Sequence, residues 1–378
     1  MTARQTAVPA DTRGDRILFL GKRFYTNKDA LVEHFGRIYQ LPANWAEKGS
    51  RVLLWLVDYH SRQPAKQISR GLDVISTPVL SFSMARGFAA LLRLRPNIVV
   101  ASGDSYIGLV GWMISRMLGA VFVFDVYDKY DEFAGYRKFL GFDLFAFLRR
   151  RADIKFFCSR ALLDYYDKHE GRSPSAIVLN GVDGVKFAPM EIGECRARLG
   201  LPAGDVLVGY FGSMEPDRGV EDLLLAIESL RNEGEDIRLL LCGKSNSALT
   251  LDRDWITYRG IVAHDLMPFY LNASDLLVIP YRESPIMDMG ASCKIAEYLM
   301  CKRPVVSTRT ANFLGNFPTQ AAELGNAMCT PGDVAALAIA IRRQLAERKI
   351  LTAPVGMSWQ DVSAGALTAI HRRREVQP

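Results

Sequence analysis

Short apolar runs alternate almost throughout the chain with longer stretches whose apolar positions recur at helical spacing. The first series of apolar runs lies at 16–20, 51–57, 98–101, 121–125, 154–158 and 176–179, with helical patterns between them such as 29–48, 88–93 and 108–118. A second series lies at 206–211, 237–242, 256–258, 276–279 and 304–307, with helical patterns at 220–232, 265–272, 293–301 and 334–347. This alternation is typical of parallel sheets with crossover helices. We therefore predict an α/β protein built from two Rossmann-like halves.

The segment 186–203 lies between the two series and is the predicted linker. We expect a first domain at 1–190 and a second at 191–359, with a C-terminal helix in 360–378 as a candidate addition to the first domain. Ligands of open parallel sheets bind at the carboxyl ends of the strands. Two such sheets facing each other therefore predict an active site in the cleft between the domains.

The composition is that of an ordinary soluble protein, with 378 residues, 49% hydrophobic and 23% charged. Six scattered cysteines show neither a CxxC motif nor metal-ligand spacing, which indicates free thiols in a reducing compartment. The first fifteen residues have no apolar core, so we expect no signal peptide and a cytoplasmic protein. The net charge of +6 fits anionic small molecules or an anionic membrane surface, and is too diffuse to indicate nucleic acid.

Chemistry concentrates in the segment 284–308, which reads as a loop, a short helix and a buried strand. Lys294 and Glu297 are three positions apart, so they share one helix face. A diphosphate is bound by free helix-start amides and a cation, and a pair of sugar hydroxyls by a carboxylate. The small residues before the helix, Gly290, Ala291 and Ser292, would present those amides.

Four motifs occur in a fixed order along the second half. They are NGVD at 180–183 with Phe187 and Pro189, GYFGSMEPDRG at 209–219, the run from YRG at 258–260 to ASDLLVIP at 273–280, and KIAEYL…KRPVV at 294–306. In this order they resemble the signatures of retaining glycosyltransferases of family 4, which have the GT-B fold of two Rossmann-like domains facing each other across a cleft. The resemblance is most specific over 180–308.

The resemblance implies a site for a nucleotide-diphosphate sugar on the second domain. Arg218 and Lys294 would neutralise the leaving diphosphate, and Glu297 would accept hydrogen bonds from the ribose hydroxyls. Two positions depart from the family pattern: Ser213 stands where an arginine is usual, and Met289 where an acid is usual, with Asp288 one residue away. Further donor contacts are expected from Gly212, Ser213, Lys244, Gly290, Ala291 and Ser292.

The first half offers candidates for the acceptor side. Gly21 follows the first apolar run, where the family has a glycine loop, and Asp104 lies between a strand and a helix, where it can also act as a helix cap. The string from Asp125 through Tyr127 to Asp128 ends another strand and resembles the family segment that ends in an acid. We expect Asp128 to orient the acceptor hydroxyl, or these acids to form a structural network.

The stretch 136–151 is rich in aromatic residues and flanked by basic clusters. Two interpretations stay open. The stretch lies on an anionic membrane with its rings in the interface, or it is a crossover helix that buries Phe139, Phe142, Phe145 and Phe147 against its own sheet.

The sequence therefore predicts a retaining glycosyltransferase, needing neither metal nor cofactor, that moves a sugar from a nucleotide-diphosphate sugar to an acceptor hydroxyl in polysaccharide or glycolipid synthesis. Expected partners are the donor, a glycan or lipid-linked acceptor, and an anionic membrane surface on the cytoplasmic side. Two alternatives are a nucleotide-sugar epimerase of the same fold and a non-catalytic partner subunit that binds the donor.

Overall fold

A computed structural model describes residues 14–25, 28–60, 64–69, 71–79, 81–132, 136, 138, 141–167 and 173–376. Within these residues the chain forms two compact units, Met1–Gly181 with Ser358–Pro378, and Val182–Met357. The division therefore comes earlier than the predicted boundary after residue 190. Phe139 lies outside the described residues.

The first unit contains an eight-stranded sheet. Its strands are β1 (Arg16–Lys22), β4 (Arg51–Asp58), β5 (Ala65–Ser69), β6 (Leu72–Pro78), β7 (Ile98–Ser102), β8 (Val121–Val126), β9 (Ile154–Phe157) and β10 (Ser175–Ile177), while β2 (Phe24–Tyr25) and β3 (Lys28–Asp29) pair separately. The order across the sheet is β10-β9-β8-β7-β1-β4-β6-β5, and every pair is parallel except β5 with β6. The helices are α1 (Ala30–Glu33), α2 (Gly36–Glu47), α3 (Met84–Leu94), α4 (Ser105–Leu118), α5 (Leu144–Arg151) and α6 (Arg160–Asp167).

One row of side chains shows which helices cover which face of this sheet. Leu20, Trp55, Ala101 and Phe124 lie beside one another on β1, β4, β7 and β8, so they point to the same face. Helix α3 packs its Phe88 ring on Trp55, Gly111 of α4 lies against Ala101 and Leu20, and α5 packs Phe145 on Phe124. On β1, Phe19 alternates with Leu20 and contacts Trp45 of α2. Helices α3, α4 and α5 therefore cover one face, and α2 covers the other.

The second unit contains a five-stranded parallel sheet in the order β13-β12-β11-β14-β15. Its strands are β11 (Val206–Phe211), β12 (Ile237–Cys242), β13 (Ile256–Tyr258), β14 (Leu276–Ile279) and β15 (Val305–Ser307). The helices are α7 (Ile192–Leu199), α8 (Val220–Asn232), α9 (Met267–Ala273), α10 (Pro285–Met289), α11 (Cys293–Met300), α12 (Ala311–Asn316), α13 (Pro318–Leu324) and α14 (Val334–Glu347). Strand β11 has β12 on one side and β14 on the other. The strands after β11 are therefore added first on one side of it and then on the other, so β11 lies at the switch point of the strand order. The carboxyl end of β11 is where such folds bind ligands.

The last helix, α15 (Trp359–Val376), belongs to the first unit. It packs on α2, where the Trp45 indole donates a hydrogen bond of 2.8 Å to the Ser363 carbonyl. Near its end, His371 and Arg374 both contact the buried carboxylate of Asp15, at 2.6 and 2.9 Å. Among the described residues no helix is both long and apolar enough to cross a membrane.

Candidate functional site

Two glycines bring the loops after β11 and β12 into contact. The Gly212 amide donates to the Cys242 carbonyl at 2.8 Å, and the Met214 amide donates to the Lys244 carbonyl at 3.0 Å. Gly243 has φ +133°, and a Cβ there would lie 1.9 Å from the Gly212 oxygen. Only a residue without a side chain fits this contact, so the floor of the site is bare backbone.

Lys294 lies directly over that floor. A Cβ on Gly212, whose φ is +154°, would lie 2.3 Å from both Cε and Nζ of Lys294. Lys294 is in the first turn of α11, and the Ser292 side chain does not cap that helix because its hydroxyl lies 3.0 Å from the Tyr281 hydroxyl. The structure thus brings an ammonium group and the amides of a helix start to the carboxyl end of β11.

Arg218 approaches the same end of the sheet from a 3₁₀ turn, Pro216–Arg218. Its guanidinium carbon lies 5.5 Å from the centre of the Tyr281 ring, and its nearest carboxylate, Asp217, is 3.8 Å away. Within the described residues its buried Nε has no hydrogen-bond acceptor. A buried guanidinium nitrogen without a partner is costly, so Arg218 is a candidate ligand for an anion.

A second arginine keeps a nearby carboxylate occupied. Arg282 donates from two nitrogens to the Asp222 carboxylate, at 2.7 and 2.5 Å, and these hydrogen bonds raise the pKa of Arg282. Asp222 lies in the first turn of α8, just beyond Arg218. Its charge is therefore paired with Arg282, and sequence reasoning missed this pair because the two residues are far apart in the chain.

Glu297 lies on α11 with its side chain 13% exposed. It contacts His264, which in turn contacts Lys186. The His264 Nε2 is 3.6 Å from its Oε1, and the His264 Nδ1 is 3.2 Å from the Lys186 amine. Lys186 also forms an ion pair with Asp265, and Phe187 packs against the His264 ring. Sequence reasoning missed His264 and Lys186, although both lie within or beside the motifs at 180–189 and 258–270.

The remaining second-unit candidates surround these groups. Gly290 follows α10, and its carbonyl accepts a hydrogen bond from Asn316 at 3.4 Å, while Ala291 and Ser292 are half-buried. The Ser213 carbonyl accepts from the Tyr210 hydroxyl at 2.7 Å, and Lys244 is exposed.

Asp288 lies in α10, one position before Met289. Its Oδ1 is buried with no hydrogen-bond partner in the part of the chain that the structure describes, and burial raises the pKa of its carboxyl. The half-buried Met289 itself offers no acid.

In the first unit the structure contradicts two acceptor-side expectations. Gly21 is not a loop glycine: β1 extends to Lys22, and a Cβ on Gly21 would lie 2.6 Å from Ile38 of α2. Asp125 is fully buried and accepts from Arg37 at 2.6 and 3.0 Å and from the Ser102 hydroxyl at 2.6 Å. Close helix packing and a buried ion pair account for these two residues.

The other three residues divide. Tyr127 is buried, and its hydroxyl donates to the Gly103 carbonyl at 3.2 Å, which is a packing role. Asp104 caps α4 by accepting from the Ile107 amide at 2.9 Å, and it pairs with Lys22 at 3.1 Å. Asp128 is half-buried beyond the end of β8, where its Oδ1 accepts from the Lys129 amide at 2.8 Å.

The stretch 136–151 contains the crossover helix α5 between β8 and β9. Phe145 is fully buried, and Arg149 is buried with its guanidinium 4.2 Å from the Phe145 ring and 4.0 Å from the Tyr166 ring. Phe147 packs on Trp112 of α4, while Phe142 is 52% exposed. The core-helix interpretation therefore holds for Phe145, and not for Phe142.

No group of three or more His, Cys, Asp or Glu side chains among the described residues is arranged to hold a metal ion. The six cysteines are free thiols, and all except Cys293 are buried.

The chain was compared with known families and proteins. Residues 205–347 match the family Glycosyl transferases group 1. The α-D-kanosaminyltransferase of Streptomyces kanamyceticus is 25% identical over 122 residues, 30% of each chain. TuaC of Bacillus subtilis, whose name assigns it to teichuronic acid biosynthesis, is 34% identical over 116 residues, 30% of this chain and 28% of its own. These matches thus span less than a third of either relative.

Solved structures match over nearly the whole chain. The sucrose-phosphate synthase of Thermosynechococcus elongatus superposes with a TM-score of 0.71 at 17% identity, covering 96% of this chain and 99% of the other. Anabaena HepE in complex with UDP-glucose gives a TM-score of 0.61 at 17% identity, covering 96% and 99%. This likeness shows the GT-B fold, as predicted. Together with the family match it confirms a resemblance to glycosyltransferases: residues 205–347, within the second unit, are similar to the glycosyl transferases group 1 family.

Proposed function

We propose that the protein is a retaining glycosyltransferase that moves a sugar from a nucleoside-diphosphate sugar to an acceptor hydroxyl. The observation on which this rests is the pair of cations at the carboxyl end of β11. Lys294 lies over the bare backbone of Gly212, and Arg218 has a buried nitrogen without an acceptor among the described residues. Together with the start of α11 they form a site for two adjacent phosphates.

The chemistry follows from where charge grows. As the bond between the anomeric carbon and the β-phosphate oxygen breaks, the sugar gains oxocarbenium character and the phosphate gains negative charge. Arg218 and Lys294 stabilise that charge. Electrostatic stabilisation of this kind by fixed groups is usually the largest single contribution to lowering the activation barrier. The acceptor oxygen forms the new bond on the face that the leaving group vacates, and its proton passes to the phosphate oxygen. No enzymatic nucleophile is needed.

Glu297 holds the ribose of the donor, and His264 positions it. The Lys186 ammonium has only donors to offer, so the His264 Nδ1 that faces it must present a lone pair. The ring proton then lies on Nε2, which faces the Glu297 carboxylate. His264 thereby holds one carboxylate oxygen, which orients Glu297 toward the two ribose hydroxyls.

On the acceptor side we propose Asp128, which is half-buried beyond the end of β8 and whose Oδ1 accepts a hydrogen bond from the Lys129 amide at 2.8 Å. We propose a glycan or lipid-linked acceptor and a role in polysaccharide or glycolipid synthesis on the cytoplasmic side of a membrane. TuaC is named for the synthesis of such a polymer, and HepE binds UDP-glucose, which makes a uridine-diphosphate sugar the first donor to test.

The test combines calorimetry with a turnover assay. Titration of the full-length protein with UDP and UDP-glucose should show binding that Arg218→Ala weakens. Arg342→Ala is the matched control, because Arg342 pairs with Glu233 and Glu235 on the exposed surface of the same unit. Absence of binding to any nucleotide sugar would contradict the proposal.

Turnover separates the alternatives. Release of nucleoside diphosphate that depends on an acceptor supports the transferase. Conversion of the donor to a sugar epimer without acceptor would show the epimerase instead, and binding without any turnover would show the partner subunit.

A further inference from the structure

The three helices that cover one face of the first sheet contain no acidic residue. Helices α3, α4 and α5 have the sequences MARGFAALLRL, SYIGLVGWMISRML and LFAFLRRR, with six arginines and no aspartate or glutamate. The chain as a whole has 41 acidic residues in 378, so more than three would be expected in 33 positions of average composition. The absence of carboxylates from three neighbouring helices is therefore a property of this face.

The same helices expose large apolar side chains. On α4, Tyr106, Val110, Met113 and Met117 recur at helical spacing on the outer side, and Met117 is 81% exposed. Beside α3, Phe82 is fully exposed, and on α3 itself Leu92 is 68% exposed. Apolar groups placed in a row on one surface indicate an interaction site, whereas scattered ones do not.

The aromatic groups continue this row from α4 to α5. Trp112 of α4 meets Phe147 of α5 with ring centres 5.1 Å apart, and Phe142 lies 5.6 Å beyond Phe147. The Arg151 guanidinium carbon lies 5.6 Å from the centre of the Phe147 ring, and Arg150 beside it is exposed. Aromatic rings next to arginines are favoured where a protein meets the headgroups of a bilayer.

The carboxylates at the ends of α4 and α5 are engaged. Asp104 caps α4 and pairs with Lys22, Asp143 caps α5 and pairs with Lys138, and Asp153 pairs with Arg116. By contrast, Arg86 and Arg93 of α3 are exposed between the apolar side chains. The surface is therefore positive and apolar at once, which is complementary to an anionic bilayer.

We propose that the outer surface of α3, α4 and α5 docks the protein onto an anionic lipid bilayer. Phe82, Met113, Met117 and Phe142 enter the headgroup region, and the exposed Arg86, Arg93, Arg150 and Arg151 contact lipid phosphates. This proposal does not depend on the donor site. It also differs from the hypothesis that the stretch 136–151 lies on a membrane by itself. Here α5 contributes only its outer side, because Phe145 and Arg149 are buried.

The experiment is co-sedimentation of the full-length protein with vesicles of phosphatidylcholine alone and of phosphatidylcholine mixed with phosphatidylglycerol. The protein should bind the mixed vesicles at low salt and dissociate as salt rises, because ions screen the arginines. Met113→Gln with Met117→Gln should weaken binding by roughly tenfold. Each of Arg86→Gln and Arg93→Gln should weaken it by about fivefold.

Helix α14 supplies the matched control. It has 14 residues like α4, and Ile339 on it is 64% exposed, so Ile339→Gln with Arg343→Gln removes equivalent groups from the second unit. The control should bind vesicles like the wild type. Unchanged melting temperatures in all variants show that they are folded.

Three outcomes would overturn the proposal. The first is folded wild-type protein that does not sediment with anionic vesicles at low salt. The second is equal binding to both kinds of vesicle with no effect of the arginine changes. The third is a dimer in light scattering that Met113→Gln with Met117→Gln dissociates, which would make a second copy of the chain the occupant of this face.

Discussion

The carboxyl edges of the two sheets have similar polar residues and use them differently. At the end of β8 in the first unit, Asp125 is fully engaged by Arg37 and Ser102. At the end of β11 in the second unit, Arg218 keeps a buried nitrogen with no acceptor in the described part of the chain. Polar residues at a strand end thus indicate the right edge, but only their partners show whether they support the fold or await a ligand.

The largest expected effect comes from breaking the buried pair of the first unit. Arg37→Met should lower the free energy of unfolding by about 3–5 kcal/mol, because it leaves the Asp125 carboxylate buried without its cation. Denaturant unfolding measures this loss. Arg218→Ala should leave the free energy of unfolding nearly unchanged. Equal losses in the two variants would contradict the distinction between a structural Arg37 and a ligand-binding Arg218.

Arg218 should matter for rate instead. Arg218→Ala should lower kcat by on the order of 10²-fold, since it removes a donor from the phosphate on which charge develops. Lys294→Ala should act in the same way because Nζ lies over Gly212. Steady-state kinetics with saturating donor measure both effects. Full kcat in a folded Arg218→Ala protein would contradict the leaving-group role.

Glu297 and His264 should affect donor binding and leave kcat nearly unchanged. Glu297→Gln should raise the donor KM, because the ribose is held alike in the ground and transition states. His264→Ala should raise KM by roughly fivefold, equivalent to about 1 kcal/mol, because it removes the charge contact of 3.6 Å between His264 Nε2 and the Glu297 carboxylate. His264→Gln should restore part of it, since its amide can still donate to the carboxylate.

Leu266→Ala, on the same 3₁₀ turn, is the control for His264. A KM raised by Glu297→Gln and untouched by His264→Ala would remove only the positioning role of His264. No effect from either change would instead contradict the donor site.

The smallest expected effect is that of a chelator. Activity should survive excess chelator, because side-chain cations and helix amides neutralise the diphosphate. Loss of activity that Mg²⁺ or Mn²⁺ restores would show that a divalent cation takes part in catalysis at the carboxyl end of β11.

Sequence patterns predicted the second unit closely and the first less so. The predicted runs at 206–211, 237–242, 256–258 and 276–279 coincide with β11 to β14. The pair β5 and β6 was missed. Strand β5 exposes Lys66 and Gln67 and lacks an apolar run, and in β6 the polar residues Asp73, Ser76 and Thr77 interrupt the apolar positions. The predicted linker contains α7, whose apolar positions are too few to stand out.

The site shows the same limit. Lys294 and Glu297 were predictable because both lie on one helix, three positions apart. His264 and Lys186 were not, because their contact joins segments 78 positions apart in sequence. Gly21 was misplaced because β1 runs on to Lys22, which turns an expected loop glycine into a point of helix packing.

The contact between Gly212 and Gly243 has a consequence for how this protein can diversify. A side chain at Gly212 would be strained by its φ of +154°, and one at Gly243 would collide with the Gly212 oxygen. Substitutions at these two glycines are therefore disfavoured. Natural variants or directed evolution must alter donor choice at other positions. Positions 245–246 and 261–263 in the neighbouring loops are at least partly exposed, so libraries randomised there should retain folding and can be screened for altered nucleotide preference.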